Sequence, residues 1–184
     1  MTNPELKLVV LDRDGVINQD SREFVKSADE WLPLPGSIDA IATLSQAGFA
    51  VAVASNQSGL AHGLFDEAAL RAIHQKLRAL VVAAGGCVNK IVYCPHGPDD
   101  DCDCRKPKPG LLQKIGVHFS HDMANVPFIG DALRDLEAAR SIGARPILVR
   151  TGNGVSASES LPSSLCDVEI YDDLAAAAAA LVAE

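Results

Sequence analysis

Short apolar runs rich in branched residues recur along the chain, and each ends in polar residues able to do chemistry. Leu6 to Leu11 (LKLVVL) runs into DRDG, Phe49 to Ala54 (FAVAVA) into SNQSG, and Ile91 to Tyr93 into a long string that begins at Cys94. Val126 to Ile129 and Pro146 to Val149 have the same character. Runs of this length and composition predict buried parallel strands. Between them the apolar positions change to a three-four spacing, which predicts helices. Ser37 opens one, with Ile38, Ile41 and Leu44 on one face and Gly48 as its stop. Asp66 caps a longer one, whose Leu70, Ile73, Leu77, Leu80, Val81 and Ala84 make a stripe ending at Gly85 and Gly86. Further helices are predicted over Leu111 to Val117, over Leu133 to Ile142, and over the alanine run 175 to 180, where Leu174 and Leu181 can pack. Asn18 to Pro35 holds no period and reads as an irregular surface excursion. Strands alternating with helices predict an α/β fold: an open parallel Rossmann-like sheet with helices on both faces, in a single domain over residues 1–184. In such folds ligands bind outside the carboxyl ends of the strands, where this chain places its unusual residues.

Composition sharpens this picture. A chain of 184 residues with 48% hydrophobic and 22% charged positions suits one folded domain. Aromatics are only 4%, so the core has to come from Ala, Val, Leu and Ile. Sixteen Lys and Arg against 24 Asp and Glu give a net charge of -8 with no segregated basic patch, which argues against a nucleic-acid partner. The apolar tail from Leu174 to Ala183 is too short to span a bilayer, and charged residues interrupt the N-terminal region before any signal-like stretch develops. A cytoplasmic protein without a membrane partner is expected, and a monomer, since nothing demands a subunit interface.

Asp12 and Asp14 directly follow the first predicted strand, and Gly15 permits a tight turn beside them. In a dry site two such carboxylates repel, so a divalent cation would hold at least one ionised; one could attack phosphorus while the other carries a proton. An Asx turn is the plain alternative for the pair alone. Ser55, Asn56 and Gln57 could hold a phosphoryl group after the second strand, or form an ordinary polar turn. Arg105 and Lys106, stiffened by Pro107 and Pro109, could offset phosphate charge, or belong to a solvated basic loop. Asp131 and Asp135 lie four apart at the start of a helix and suit a hard octahedral cation, one directly and the other through water; Asp131 as a helix N-cap is the alternative.

Of five cysteines, Cys94, Cys102 and Cys104 cluster near His96. Three thiolates and an imidazole form a soft set suited to closed, tetrahedral, structural zinc, with a disulfide or unbound thiols as alternatives. Zinc would brace a Pro-, Gly- and Asp-rich loop with almost nothing apolar to bury, and so aim Arg105 and Lys106. Cys87 and Cys166 read as small core or surface residues. His74, His118 and His121 read as surface histidines, while His62 draws interest because it follows the Ser55 turn.

Taken in order, LDRDGVIN (11 to 18), SNQSG (55 to 59), RKPKPG (105 to 110) and IGDALRD (129 to 135) resemble the four motifs of the haloacid dehalogenase (HAD) superfamily of aspartate-nucleophile phosphatases. With CPHGPDDDCDCRKPKPG and LVRTGNG (148 to 154), the chain further resembles the heptose bisphosphate phosphatase family within it. That resemblance implies a magnesium-dependent enzyme removing the 7-phosphate of a phosphorylated sugar, D-glycero-D-manno-heptose 1,7-bisphosphate, for lipopolysaccharide-core synthesis. It implies Asp12 as nucleophile, Asp14 as general acid and base, Ser55 and Lys106 on the phosphoryl group and Arg105 on the substrate. It also implies magnesium on Asp12, the Asp14 carbonyl and Asp131, zinc on Cys94, His96, Cys102 and Cys104, and little or no cap domain. The related histidinol-phosphate phosphatases are the alternative enzyme, and a zinc-bearing nucleic-acid binding module the alternative without catalysis. Many relatives carry a basic residue at the position of His62, and some a lysine at that of Ala132.

Overall fold

The computed structural model describes residues 6–184. Six strands, β1 (Lys7–Leu11), β2 (Phe49–Asn56), β3 (Lys90–Cys94), β4 (Pro127–Gly130), β5 (Arg145–Val149) and β6 (Glu169–Tyr171), form one parallel sheet in the order β3-β2-β1-β4-β5-β6. The helices are α1 (Ser37–Gln46), α2 (Glu67–Ala83), α3 (Gly110–Phe119), α4 (Leu133–Ser141), α5 (Gly154–Glu159) and α6 (Leu174–Val182). This is the doubly wound Rossmann order, with its switch point between β1 and β4. None of the described helices is long and apolar enough to cross a membrane.

Strand alternation divides the core into two layers. Val9 and Leu11 of β1 join Val51 and Val53 of β2 under the stripes of α1, α2 and α6, while Leu8, Val10, Ala50, Ala52 and Ala54 face α3 and α4. The small alanines on the second face let Leu111, Leu112 and Ile115 of α3 approach the sheet closely. A third cluster under α5 gathers Leu136, Leu148, Ala157, Leu165 and Val168. The expected strands and long helices are present, but α5 and β6 are additions that periodicity did not predict. In α2 the buried stripe is Leu70, Ile73, Leu77 and Val81; Leu80 is on the exposed side.

The segment from Asn18 to Pro35 corrects the expectation of a surface excursion. It lacks regular structure, yet Trp31 and Val25 are buried in the first core layer. Its neck is closed by Gln19 N–H to Leu32 O (3.0 Å) and Leu34 N–H to Ile17 O (2.9 Å). The ammonium of Lys76, on α2, donates to the carbonyls of Ala28 (2.6 Å) and Trp31 (2.8 Å). The loop is thus fastened to the sheet, and its outer residues form one wall of a cleft.

Candidate active site

Parallel strands end at one edge of the sheet, so their trailing residues converge. Asp12 follows β1, Ser55 and Asn56 finish β2, Cys94 finishes β3 and Asp131 follows β4. A cavity of about 170 Å³ opens there, lined among others by Asp12, Arg13, Asp14, Asp20, Phe24 and Asn56, with Gln57, Arg105 and Arg134 completing its polar wall.

Asp12 is buried at this edge. Its Oδ1 accepts the Arg13 backbone N–H (2.7 Å) and lies 2.8 Å from the Lys106 ammonium, while no described donor bonds its Oδ2. Lys106, also buried, pairs with Asp135 Oδ1 at 2.7 Å and donates to the Ala54 carbonyl at 2.9 Å. Burial works against its charge, but Asp12 and Asp135 more than offset that and hold its pKa above the ordinary lysine value. One oxygen from each of Asp12, Asp131 and Asp135 falls within 4.8 Å of the others, so three carboxylates crowd beside one ammonium that pairs with two of them. Burial, only partly opposed by Lys106 and reinforced by Asp135 and Asp131, pushes the Asp12 pKa up to about 8. Burial and the Asp135 charge likewise raise Asp131 to about 6.

The donors left over fit a hard divalent cation. Asp131 Oδ2 accepts from the Asn153 backbone N–H (2.8 Å) and side-chain Nδ2 (3.1 Å), whereas Oδ1 is buried without a partner. Gly15 (φ +82) and Gly152 (φ +57) enclose that carboxylate, and a Cβ on either would overlap Asp131 Oδ2. Thr151 Oγ1 donates to the Gly15 carbonyl (2.6 Å), closing the cradle. The free Asp131 and Asp12 oxygens, together with the Asp14 carbonyl, which no described donor reaches, offer oxygen ligands to magnesium. Asp135 stands beside them with its oxygens turned to Lys106 and to the Ala132 N–H (3.1 Å). The helix N-cap position belongs to Ala132, so Asp131 is not the N-cap.

The two aspartates of DRDG are kept apart. The Asp14 carboxylate receives Nε (3.1 Å) and Nη2 (2.9 Å) of Arg13, Nδ2 of Asn18 (2.9 Å) and Nε2 of Gln57 (2.7 Å). Burial alone would raise its pKa, but Arg13 and these hydrogen bonds outweigh it and hold Asp14 below the usual carboxylate range. Arg13 is therefore a buried counter-ion that the motif reading did not assign. Gln57 Nε2 also donates to Ser55 Oγ (2.7 Å), linking that hydroxyl to Asp14. Asn56 serves the Lys106 backbone: its Oδ1 accepts from Lys106 N–H and its Nδ2 donates to Lys106 O, both at 3.1 Å. Its amide is thus turned to that backbone and not to a phosphate.

Cys94, His96, Cys102 and Cys104 converge beside this edge. Cys94 Sγ lies 3.1 Å from Cys104 Sγ and 3.7 Å from Cys102 Sγ, and His96 Nδ1 lies 3.5 Å and 3.3 Å from Cys94 and Cys104. All five cysteines are free thiols, so the clustered sulfurs are not cross-linked. Their spacing is close to the roughly 3.5 Å edges of a tetrahedron around zinc. Burial and hydrogen bonding to Cys104 push the Cys94 thiol up to about 12, whereas a bound zinc ion would hold it as the thiolate. The loop is tied to the cleft through Gln57 N–H to Cys94 O (2.8 Å) and Arg105 Nη1 to His96 O (3.1 Å).

The remaining candidates separate. Cys87 and Cys166 are exposed. His62 is exposed and packs edge-on to Phe24, with ring centroids 6.1 Å apart. His74 corrects the surface reading: it is half-buried against Tyr93, and burial, then Arg13 and Arg78, lower its pKa to about 4. Motif reading passed over Arg134 and Asn153, although Asn153 belongs to the LVRTGNG string and Arg134 lies in the first turn after Asp131.

Comparisons with known proteins agree with this geometry. Residues 103–177 match the HAD-hydrolase-like family model. The D-glycero-beta-D-manno-heptose-1,7-bisphosphate 7-phosphatase of Pseudomonas aeruginosa is 57% identical over 95% of this chain and 97% of its own. The crystal structure of the D,D-heptose 1,7-bisphosphate phosphatase of Bordetella bronchiseptica, complexed with magnesium and phosphate, is 52% identical with a TM-score of 0.92, covering 97% of this chain and 99% of that one. The corresponding Burkholderia thailandensis structure is 41% identical with a TM-score of 0.75, covering 97% and 99%. Sequence, fold and cleft therefore converge on a phosphoric monoester hydrolase, and the chain belongs to the heptose-1,7-bisphosphate 7-phosphatase family of HAD-like hydrolases.

Proposed function

We propose that the chain hydrolyses the 7-phosphate of D-glycero-β-D-manno-heptose 1,7-bisphosphate, with Asp12 as nucleophile and Asp14 as general acid and base. The β form follows the names of the relatives, and the step would leave heptose 1-phosphate for lipopolysaccharide-core synthesis. The observation that carries the mechanism is the state of Asp12: Lys106 and a backbone N–H hold one oxygen, which leaves the other available at a residue lining the cavity.

Asp12 Oδ2 attacks phosphorus in line with the ester oxygen, the P–O bond breaks, and the departing alkoxide takes a proton from Asp14. Asp14 then accepts a proton from the water that attacks phosphorus of the aspartyl phosphate, which releases inorganic phosphate and restores Asp12. In the resting structure Arg13, Asn18 and Gln57 hold Asp14 ionised, so its proton must be taken up as the anionic substrate enters and raises its proton affinity. Lys106 neutralises the nucleophile, and Ser55 Oγ, beside Gln57, can donate to a phosphoryl oxygen. Magnesium held by Asp12, Asp131 and the Asp14 carbonyl would supply charge neutralisation and a Lewis-acidic contact to phosphoryl oxygen. Zinc on Cys94, His96, Cys102 and Cys104 would be structural and hold Arg105 at the cleft.

Asp12→Asn is expected to abolish magnesium-dependent phosphate release while circular dichroism shows the fold retained. Substantial residual turnover would remove Asp12 from the nucleophile role. Faster turnover of histidinol phosphate than of the heptose bisphosphate would overturn the substrate.

A further inference from the structure

The cationic side chains of the cleft differ in how far they are already committed. Arg13 is bound to Asp14 through Nε and Nη2, and Lys106 divides its ammonium among Asp12, Asp135 and the Ala54 carbonyl. Among the described residues lining the cavity, only Arg105 and Arg134 carry positive charge without a carboxylate partner. Arg105 is aimed by one bond to the His96 carbonyl. Arg134, exposed in the first turn of α4, makes no hydrogen bond or ion pair with any described residue.

The acids whose charge acts on Arg134 make no ion pair with it. Asp12 and Asp135 face Lys106, Asp131 accepts from Asn153, and Asp20 Oδ2 accepts from Asn153 Nδ2 at 3.1 Å. Asn153 therefore holds one oxygen of each of two carboxylates on this side of the cleft. The guanidinium is left with its donors unspent, on a helix whose N-terminus is fixed by the turn that carries Asp131. A fork of N–H donors in that position matches the paired oxygens of a phosphate.

A sugar bisphosphate brings two dianionic groups into this cleft. The one at Asp12 meets Lys106, but the other finds no cation at the nucleophile, because Lys106 and Arg13 are already paired, and is left to Arg105 and Arg134. We infer that Arg134 binds the phosphate that is not hydrolysed and is a specificity residue that makes the enzyme prefer a bisphosphate over a monophosphate. This rests on the sugar-bisphosphatase reading above and adds a residue to it.

The test compares kcat/KM on heptose 1,7-bisphosphate and on the same sugar bearing only the 7-phosphate, for the natural enzyme, Arg134→Gln and Arg134→Lys. Arg134→Gln is expected to lose roughly tenfold or more on the bisphosphate, mainly through KM, and much less on the monophosphate, so that the preference collapses. Arg134→Lys keeps the charge without the fork and is expected to fall between. An unchanged preference, or an equal loss on both substrates in a variant with a natural melting temperature, overturns the role of Arg134. A natural enzyme that turns over the bisphosphate but prefers the monophosphate overturns it as well. A natural enzyme inactive on heptose bisphosphate overturns the proposed function, which separates the two failures.

Discussion

Replacing Lys106 by Met removes the ammonium while keeping a stem of similar volume, and so isolates the charge that balances the active-site carboxylates. In the natural protein this amine is ion-paired with Asp12 (2.8 Å) and Asp135 (2.7 Å) and donates to the Ala54 carbonyl (2.9 Å). Breaking a buried ion pair from one side costs about 3–5 kcal/mol, because the remaining charge stays buried without a partner. The lower end applies here: with a pKa near 8, Asp12 already binds a proton readily without metal, and Asp135 carries most of the cost. At about 2–4 °C per kcal/mol for a chain of this size, the metal-free melting temperature should fall by roughly 6–12 °C near pH 8. Lys106 lowers the Asp12 pKa, so in the variant Asp12 takes up its proton at higher pH and the difference should shrink as pH falls toward about 5. Thermal melts of both proteins across that range, in metal-free buffer, provide the assay. A difference below about 2 °C near pH 8, or one independent of pH, would refute the assignment of Lys106 as the balancing charge.

Further outcomes follow from residues other than Lys106 and its partners. Burial, then Arg13 and Arg78, lower His74 from 6.5 to about 4, so the unfolded chain binds the proton first as pH falls through this window. The stability that neutral His74 supports is complete above about pH 6.5 and is lost on the way down to about pH 4, a total of roughly 3 kcal/mol. Denaturant melts of His74→Phe should show a flatter pH dependence across that window, and a slope equal to that of the natural protein would contradict the reading. For the cysteine cluster, metal analysis of protein purified without chelator should find about one equivalent of zinc. Cys104→Ser should lose that zinc and speed proteolysis of the loop between Cys94 and Arg105. Natural protein free of zinc would exclude the site.

The carboxyl edge was readable because the same pattern that marks a buried parallel strand also marks where it stops. Once LKLVVL and FAVAVA are strands of one parallel sheet, Asp12 and Ser55 must lie at a common edge, and the run after β4 brings Asp131 to it. The cysteine–histidine cluster was readable for a local reason, since its members lie close together in sequence and a short loop can hardly keep them apart. Other elements were not legible. β6 has three half-buried residues at the edge of the sheet, and α5 is a short helix rich in Ser, each too brief to show a period. Trp31 occurs in a stretch without periodicity, and its burial involves partners remote in sequence, among them Lys76, which binds its carbonyl, and the apolar residues of the first core layer.

The sequence by itself determined the alternation of strands and helices and which polar residues follow each strand, because these depend on local periodicity and on residue type. Only the tertiary structure decided how the charges are shared: Arg13 to Asp14, Lys106 to Asp12 and Asp135, Asn153 to Asp131 and Asp20, and Arg134 to none of the described residues. Hydrophobic spacing records which face a residue occupies, whereas an ion pair depends on which remote segment lies opposite. That partner is set by sheet register and loop closure over separations that no local pattern spans.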